Sequence, residues 1–228
     1  MATVGVLGST GAVGREVVRE ASHAPEVGRV VAFLRRDAAP AELFPGADVA
    51  KVEARVVEFG RLRASDFAGL DAVACCLGTT KADAGSAAAR HVVDCDYVLE
   101  AARLAKEGGT AWFGLVTSAG VSPTAALFSS YLKTKLQAEE GVKGLGFART
   151  AIWRPGLLHR GERARAGERV GLAVAGGMPV ATVARAMVRN FQDWRRADRG
   201  AVGGVAVFGD AEIYGLAGAA GGGTCTVQ

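Results

Sequence analysis

Apolar, β-branched runs and helical stretches take turns along the chain from residue 3 to residue 155, and that order leaves few folds open. Residues 4–7, 29–34 (RVVAFL), 53–59 (EARVVEF), 71–78 (DAVACCLG), 110–118 (TAWFGLVTS) and 146–156 (GFARTAIWRPG) read as strands. Residues 12–22, 86–107 and 129–142 have the apolar spacing of helices. Parallel strands need crossover helices, so the alternation predicts βαβ units and a mainly parallel sheet covered on both faces. The expected fold class is therefore α/β, Rossmann-like and doubly wound. A helix over 180–194, a strand over 204–209 and a short helix over 210–217 would form a small C-terminal elaboration. We expect one domain over residues 1–217, with 157–217 on the substrate side, and a flexible low-complexity tail over 218–228.

Charge and cysteine usage narrow the function classes. The net charge of +4 comes from 27 basic and 23 acidic residues that are interleaved, so no nucleic acid partner is expected. The most basic window, HRGERARAGERV at 159–170, also carries two glutamates and reads as a solvated loop. Cys75 and Cys76 are adjacent in a strand, where neighbouring side chains face opposite ways, and Cys95 and Cys225 stand apart. That is neither a disulfide framework nor a zinc motif, and it suits a reducing compartment. Asp94 and Asp96 read as solvent-facing or as serving their own helix start. His23, His91 and His159 show no metal-ligand spacing, so no metal is expected. The N-terminus starts the fold at once, without a basic-then-apolar leader, and no apolar run nears the roughly 20 residues of a membrane span. The expected location is cytoplasmic, with the nucleus also open, and the expected state a monomer or homodimer.

The motifs that carry chemistry come in a consistent order. Gly8-x-x-Gly11-x-x-Gly14 lies between the first strand and the first helix. Glycines there let the backbone approach a pyrophosphate and aim amide N–H groups and the helix dipole at it. Arg35 and Arg36 end the second strand, about twenty residues on, where an acidic residue would bond the ribose 2′-hydroxyl of NAD. Arginines suit the 2′-phosphate of NADP, while the neighbouring Asp37 leaves NAD as the alternative. Tyr131 and Lys135 stand four apart on one helix face, and Ser118 ends the preceding strand. An ammonium beside a phenol favours the phenolate, which lets a tyrosine pass a proton near neutrality. A strand-end hydroxyl can bond a carbonyl oxygen as charge develops on it.

Together, the glycine loop, the strand-end Ser118 and Tyr131-x-x-x-Lys135 resemble the short-chain dehydrogenase/reductase superfamily. The segments CCLGTTKADAGS, DCDYVLEAARLAKEGG, YLKTKLQAEE and WRPGLL are similar, more narrowly, to the HIV Tat-interacting protein 2 group of atypical members. The resemblance runs from about residue 3 to residue 217. It implies a Rossmann fold that binds NADP(H). It puts the pyrophosphate at Ser9, Thr10, Gly11 and Val13, with Gly8, Ala12 and Gly14 also binding cofactor, and the 2′-phosphate at Arg35 and Arg36. The adenine falls near Glu58 and Phe59, and further cofactor contacts fall at Leu77, Gly78 and Thr79. Tyr131 and Lys135 would reach the nicotinamide ribose, with Pro155, Gly156 and Leu157 beside the ring. Two positions depart from the family pattern. The strand-end serine pair is Thr117-Ser118, which leaves open which hydroxyl meets substrate, and the lysine that follows is Ala119.

The resulting expectation is an NADPH-dependent reductase of a small carbonyl compound with Ser118, Tyr131 and Lys135 as its catalytic set. The alternative is an NADP(H)-binding regulatory or scaffold protein that signals redox state to a protein partner, because atypical members of this group include such regulators. The segment 157–180 reads as loop-rich and arginine-rich, suited to a lid over the substrate.

Overall fold

The computed structural model describes residues 1–159, 177–197 and 204–218. Most of the basic window and of the expected lid, and the tail beyond Gly218, lie outside the described residues. Seven strands form one sheet: β1 (Ala2–Leu7), β2 (Val27–Leu34), β3 (Val52–Val56), β4 (Ala72–Cys75), β5 (Trp112–Val116), β6 (Arg149–Trp153) and, last in sequence, Gly204–Phe208. Their spatial order is β3-β2-β1-β4-β5-β6 followed by the Gly204–Phe208 strand, and every pairing is parallel. The fold is Rossmann-like, as the alternation of the sequence requires.

Side-chain alternation builds a core on each face. In β2, Val30, Ala32 and Leu34 point into one cluster, while Val31 and Phe33 point into the other. The first cluster is closed by the helices Ala12–His23 and Val180–Arg196, the second by Tyr97–Glu107 and Ser130–Gly144. Both faces being covered, the strands can be apolar at almost every position, and β5 and β6 show it: Trp112, Phe113, Leu115, Ile152 and Trp153 are all buried.

Strand order reverses between β1 and β4, because β2 and β3 lie to one side and β5 and β6 to the other. Crossovers leave that point in opposite directions and open a crevice beyond the carboxyl ends of the strands. The glycine loop, Arg35, Glu58, Leu77, Ser118 and Pro155 each lie just past one of those ends, and Tyr131 and Lys135 come from the helix Ser130–Gly144, between β5 and β6.

The helix expected over 86–107 is not one helix. Ala87–His91 runs into a π turn, Val92–Asp96, before the α-helix Tyr97–Glu107 begins. The Tyr97 amide reaches back five residues to the carbonyl of Val92, so the turn holds one residue more than an α turn. That extra residue brings Asp94 and Cys95, consecutive in sequence, both into the interior. Asp94 therefore does not face solvent as expected. The sequence reading also passed over the short helix Pro123–Phe128, although Ser122 caps it by accepting the Ala125 amide and a proline sits in its first turn.

Candidate cofactor and substrate site

The glycine loop is shaped by backbone packing. Gly8 has φ of 70°, and a Cβ there would lie 2.5 Å from the Cys76 carbonyl oxygen. Gly11 closes a turn through its amide to the Gly8 carbonyl at 2.9 Å. The Ser9 hydroxyl is buried and donates to the Phe33 carbonyl at 2.8 Å, tying the loop to β2. The helix Ala12–His23 begins at Gly11 with no side-chain cap and no acidic residue in its first turn. Its first amides and the positive end of its dipole are thus left for an anion, which fits a pyrophosphate.

Gly14 makes the tightest approach: a Cβ there would sit 2.2 Å from the Gly8 oxygen and 2.9 Å from the Ser9 Cα. Alanine for glycine inside a helix is ordinarily favourable by about 1 kcal/mol. Forcing a methyl against fixed backbone costs about 1–3 kcal/mol, so the clash wins. Gly14→Ala should lower the melting temperature and weaken dinucleotide binding at least tenfold in calorimetry. At Gly11 the nearest atom is the Gly8 oxygen at 3.2 Å, and Gly11→Ala should fold with little loss.

Three connected hollows form a cleft over the carboxyl edge of the sheet. The first, about 880 Å³, is lined by Gly8, Thr10, Gly11 and Arg35 together with Glu58, Phe59, Leu77, Gly78 and Thr79. The second, about 490 Å³, shares Gly11 and the 77–79 segment and adds Ala12, Val13, Tyr131 and Lys135. The third, about 410 Å³, shares Thr117 and Tyr131 with the second and adds Ser118, Ala119, Pro155, Gly156 and Leu157. Three expected residues do not line it. Ser9 is turned into the protein, Gly14 is packed behind Gly8, and Arg36 is exposed away from the hollow that Arg35 lines. β2 ends at Leu34, so both arginines lie in the bend beyond the strand and not at its end as expected.

At the far end, Tyr131 lies between two cations. The Lys135 ammonium is 5.9 Å from its ring centroid and the Arg90 guanidinium 5.4 Å. Lys135 is buried, and its Nζ stands 3.3 Å from Oδ2 of the equally buried Asp94. The other oxygen of Asp94 accepts the Thr79 amide at 2.7 Å, so one carboxylate ties the 77–79 segment to the lysine. The two strand-end hydroxyls differ plainly. Thr117 donates to the fully buried Glu139 at 2.7 Å, and Glu139 is held by Arg154 through Nε at 3.0 Å and Nη2 at 2.5 Å. The Glu139 carboxylate raises the Arg154 pKa through those hydrogen bonds. Ser118, half-buried, lines the third hollow.

Several residues at the site carried no usable signal in the sequence. Asp94 is one, and Asp210 is another: it accepts the Gly156 amide at 2.8 Å across 54 residues, pinning the Pro155–Leu157 loop to the helix Asp210–Gly218. Phe33, Cys76 and Tyr97 also line the first hollow. Cys75 is a buried strand residue, as expected, and burial pushes its thiol up to about 12. Cys75 lies inside the strand between the two flanking strands and serves there as a packing group.

A family described as NAD(P)H-binding matches residues 8–193, most of the chain. The chain belongs to that family. Protein HTATIP2 of Rattus norvegicus is 34% identical over 201 residues, covering 82% of this chain and 80% of its own. Protein fmp52, mitochondrial, of Emericella nidulans is 33% identical over 180 residues, covering 78% and 76%. These relatives agree with the resemblance read from CCLGTTKADAGS and YLKTKLQAEE. Among solved structures, a putative NAD-dependent epimerase/dehydratase from Bacillus halodurans superposes with a TM-score of 0.69 at 20% identity, covering 96% of this chain and 99% of its own. UDP-glucuronic acid 4-epimerase from Bacillus cereus, in complex with NAD, gives 0.64 at 14% identity over 90% and 78%. Both share the fold of this chain.

The expected cytoplasmic or nuclear location is overturned by the fungal relatives, Fmp52 proteins of Emericella nidulans and Saccharomyces cerevisiae among them, which are named mitochondrial. Mitochondrial addresses differ in composition from the basic-then-apolar secretory leader, so reading for one says nothing of the other. Among the described residues no helix is long and apolar enough to cross a membrane.

Proposed function

We propose that this chain is an NADPH-dependent oxidoreductase of the short-chain type that reduces a small carbonyl compound. One observation carries the reading: a single cleft runs from an uncapped helix N-terminus and Arg35, past Tyr131 and Lys135, to Ser118. The residues present fit a dinucleotide. Gly8 and Gly14 keep the loop backbone close, Gly11, Ala12 and Val13 hold the pyrophosphate, and Arg35 meets the 2′-phosphate. Glu58 and Phe59 flank the adenine, and Leu77, Gly78 and Thr79 lie along the middle of the cofactor. Pro155, Gly156 and Leu157 border the nicotinamide end. When bound, the cofactor supplies a hydride to the carbonyl carbon. Tyr131 gives its phenolic proton to the carbonyl oxygen, Ser118 donates a hydrogen bond to that oxygen, and Lys135 supports Tyr131 with positive charge.

The test combines binding and turnover. NADPH should be consumed by the purified protein in the presence of at least one member of an aldehyde and ketone panel. In calorimetry NADPH should bind more tightly than NADH. Arg35→Ser should weaken NADPH roughly tenfold and leave NADH unchanged, the effect of losing one charge-assisted hydrogen bond at a solvent-facing site. Equal affinity of the parent protein for NADH and NADPH would overturn the cofactor assignment.

One observation favours the second reading, a cofactor-binding regulator. The Lys135 ammonium is already engaged by Asp94, which takes up part of the charge that Tyr131 would use. Under that reading NADPH binds, no carbonyl is reduced, and a protein partner is captured in a pull-down only with, or only without, NADPH.

A further inference from the structure

The π turn gathers three ligand-bearing side chains at a spot outside the cleft. His91 and Cys95 stand four apart, and the ligand atoms of His91, Cys95 and Asp96 all lie within 4.8 Å of one another. Cys95 is buried beneath, His91 is half-buried and Asp96 is exposed, so the group is closed below and open above.

The hydrogen bonds around His91 decide which ring nitrogen is available. Thr134 donates its hydroxyl hydrogen to the Ser130 carbonyl at 2.9 Å, as a helical threonine does. With that bond made, the 3.2 Å contact with His91 Nδ1 is donated by the ring, in the tautomer that carries its hydrogen on Nδ1. Nε2 is left facing the Asp96 carboxylate at 3.4 Å. In that tautomer the Nε2 lone pair and the carboxylate oxygen face each other, an arrangement that suits a cation held between them. A proton would meet that need and make an imidazolium–carboxylate pair. Burial, and next the Asp96 charge, push the Cys95 thiol up, so an ion has to displace its proton, and a borderline-soft divalent ion that takes imidazole, thiolate and carboxylate together does so. Calcium and magnesium prefer oxygen alone and do not suit this set. A hydrogen bond from the non-ligating ring nitrogen is also what orients a metal-bound histidine. Zinc bonds of about 2.0–2.3 Å space ligands roughly 3.5 Å apart, so small side-chain rotations complete the geometry.

We propose that His91 Nε2, Cys95 Sγ and the Asp96 carboxylate form a binding site for a zinc-class divalent cation, with a fourth position open to water. The ion would brace the π turn that delivers Asp94 to Lys135, although it touches neither.

The full chain, stripped with chelator, should be titrated with Co(II). Binding at this site gives tetrahedral visible bands and a thiolate-to-cobalt charge-transfer band, and Zn(II) displaces both. Cys95→Ser should abolish the charge-transfer band. His91→Gln and Asp96→Asn, both at the surface, should weaken binding at least tenfold. Thr134→Val keeps all three ligands and should still cost about tenfold, the usual effect of losing an orienting partner. Absence of the charge-transfer band would mean an imidazolium–carboxylate pair only and would overturn the proposal. So would a band that survives Cys95→Ser, or, should that variant fail to fold, a band and affinity unchanged in His91→Gln and Asp96→Asn.

Discussion

Lys135→Met should destabilise the protein by about 3–5 kcal/mol, the cost of stranding one partner of a buried ion pair. Asp94 is 1% exposed and Lys135 5%, so water does not replace the lost ammonium. Methionine fills the stem volume of lysine, which leaves the charge as the main change. Against a total stability of about 5–15 kcal/mol, that is a large fraction. At this chain length each kcal/mol moves the melting temperature by about 2–4 °C, so a fall of roughly 10 °C is expected by calorimetry. Asp94→Asn in the same chain should restore much of it, since asparagine keeps an acceptor for the Thr79 amide at Oδ1 and removes the stranded charge. Should Lys135→Met melt with the parent protein, the pair contributes nothing to stability and the lysine serves the cleft alone.

That result bears on what a Tyr-x-x-x-Lys spacing can say. The spacing predicted one helix face for Tyr131 and Lys135, and they share it. It carried no sign that a carboxylate from another element would reach the same ammonium. Asp94 gets there through a π turn, and the single residue of slippage that creates the turn has no signature in an apolar periodicity. Thr117 shows the same limit. Two adjacent hydroxyls at a strand end are equivalent on paper, and only the buried Glu139, 22 residues on, separates them. Asp210 at the Gly156 amide is a contact across 54 residues and was invisible for that reason. By contrast, the strand–helix alternation and the glycine loop were legible because they rest on local chemistry. Gly8 is needed where a φ of 70° and a neighbouring carbonyl leave no room for a side chain, and the next helix starts four residues later. Location was not legible in the residues, because mitochondrial addresses have a composition of their own, unlike that of a secretory leader.

Tyr131→Phe separates the two functional readings most sharply, because it removes one oxygen and little else. The ring keeps its place between the Arg90 guanidinium at 5.4 Å and the Lys135 ammonium at 5.9 Å, so both cation–π contacts survive. NADPH affinity should therefore stay within about twofold and the melting temperature within a degree or two. A positioned acid contributes about 10²–10⁴ to rate, so carbonyl reduction should fall at least 100-fold. The loss should appear equally in kcat and kcat/KM, as for a contact made only in the transition state. Undiminished turnover in Tyr131→Phe would remove this residue from the chemistry. A parent protein that binds NADPH through Arg35 yet reduces nothing would instead place the cleft's purpose in holding the cofactor. In that case the buried Asp94 is the reason: its carboxylate, not the phenol, is the group that the Lys135 charge was built to meet.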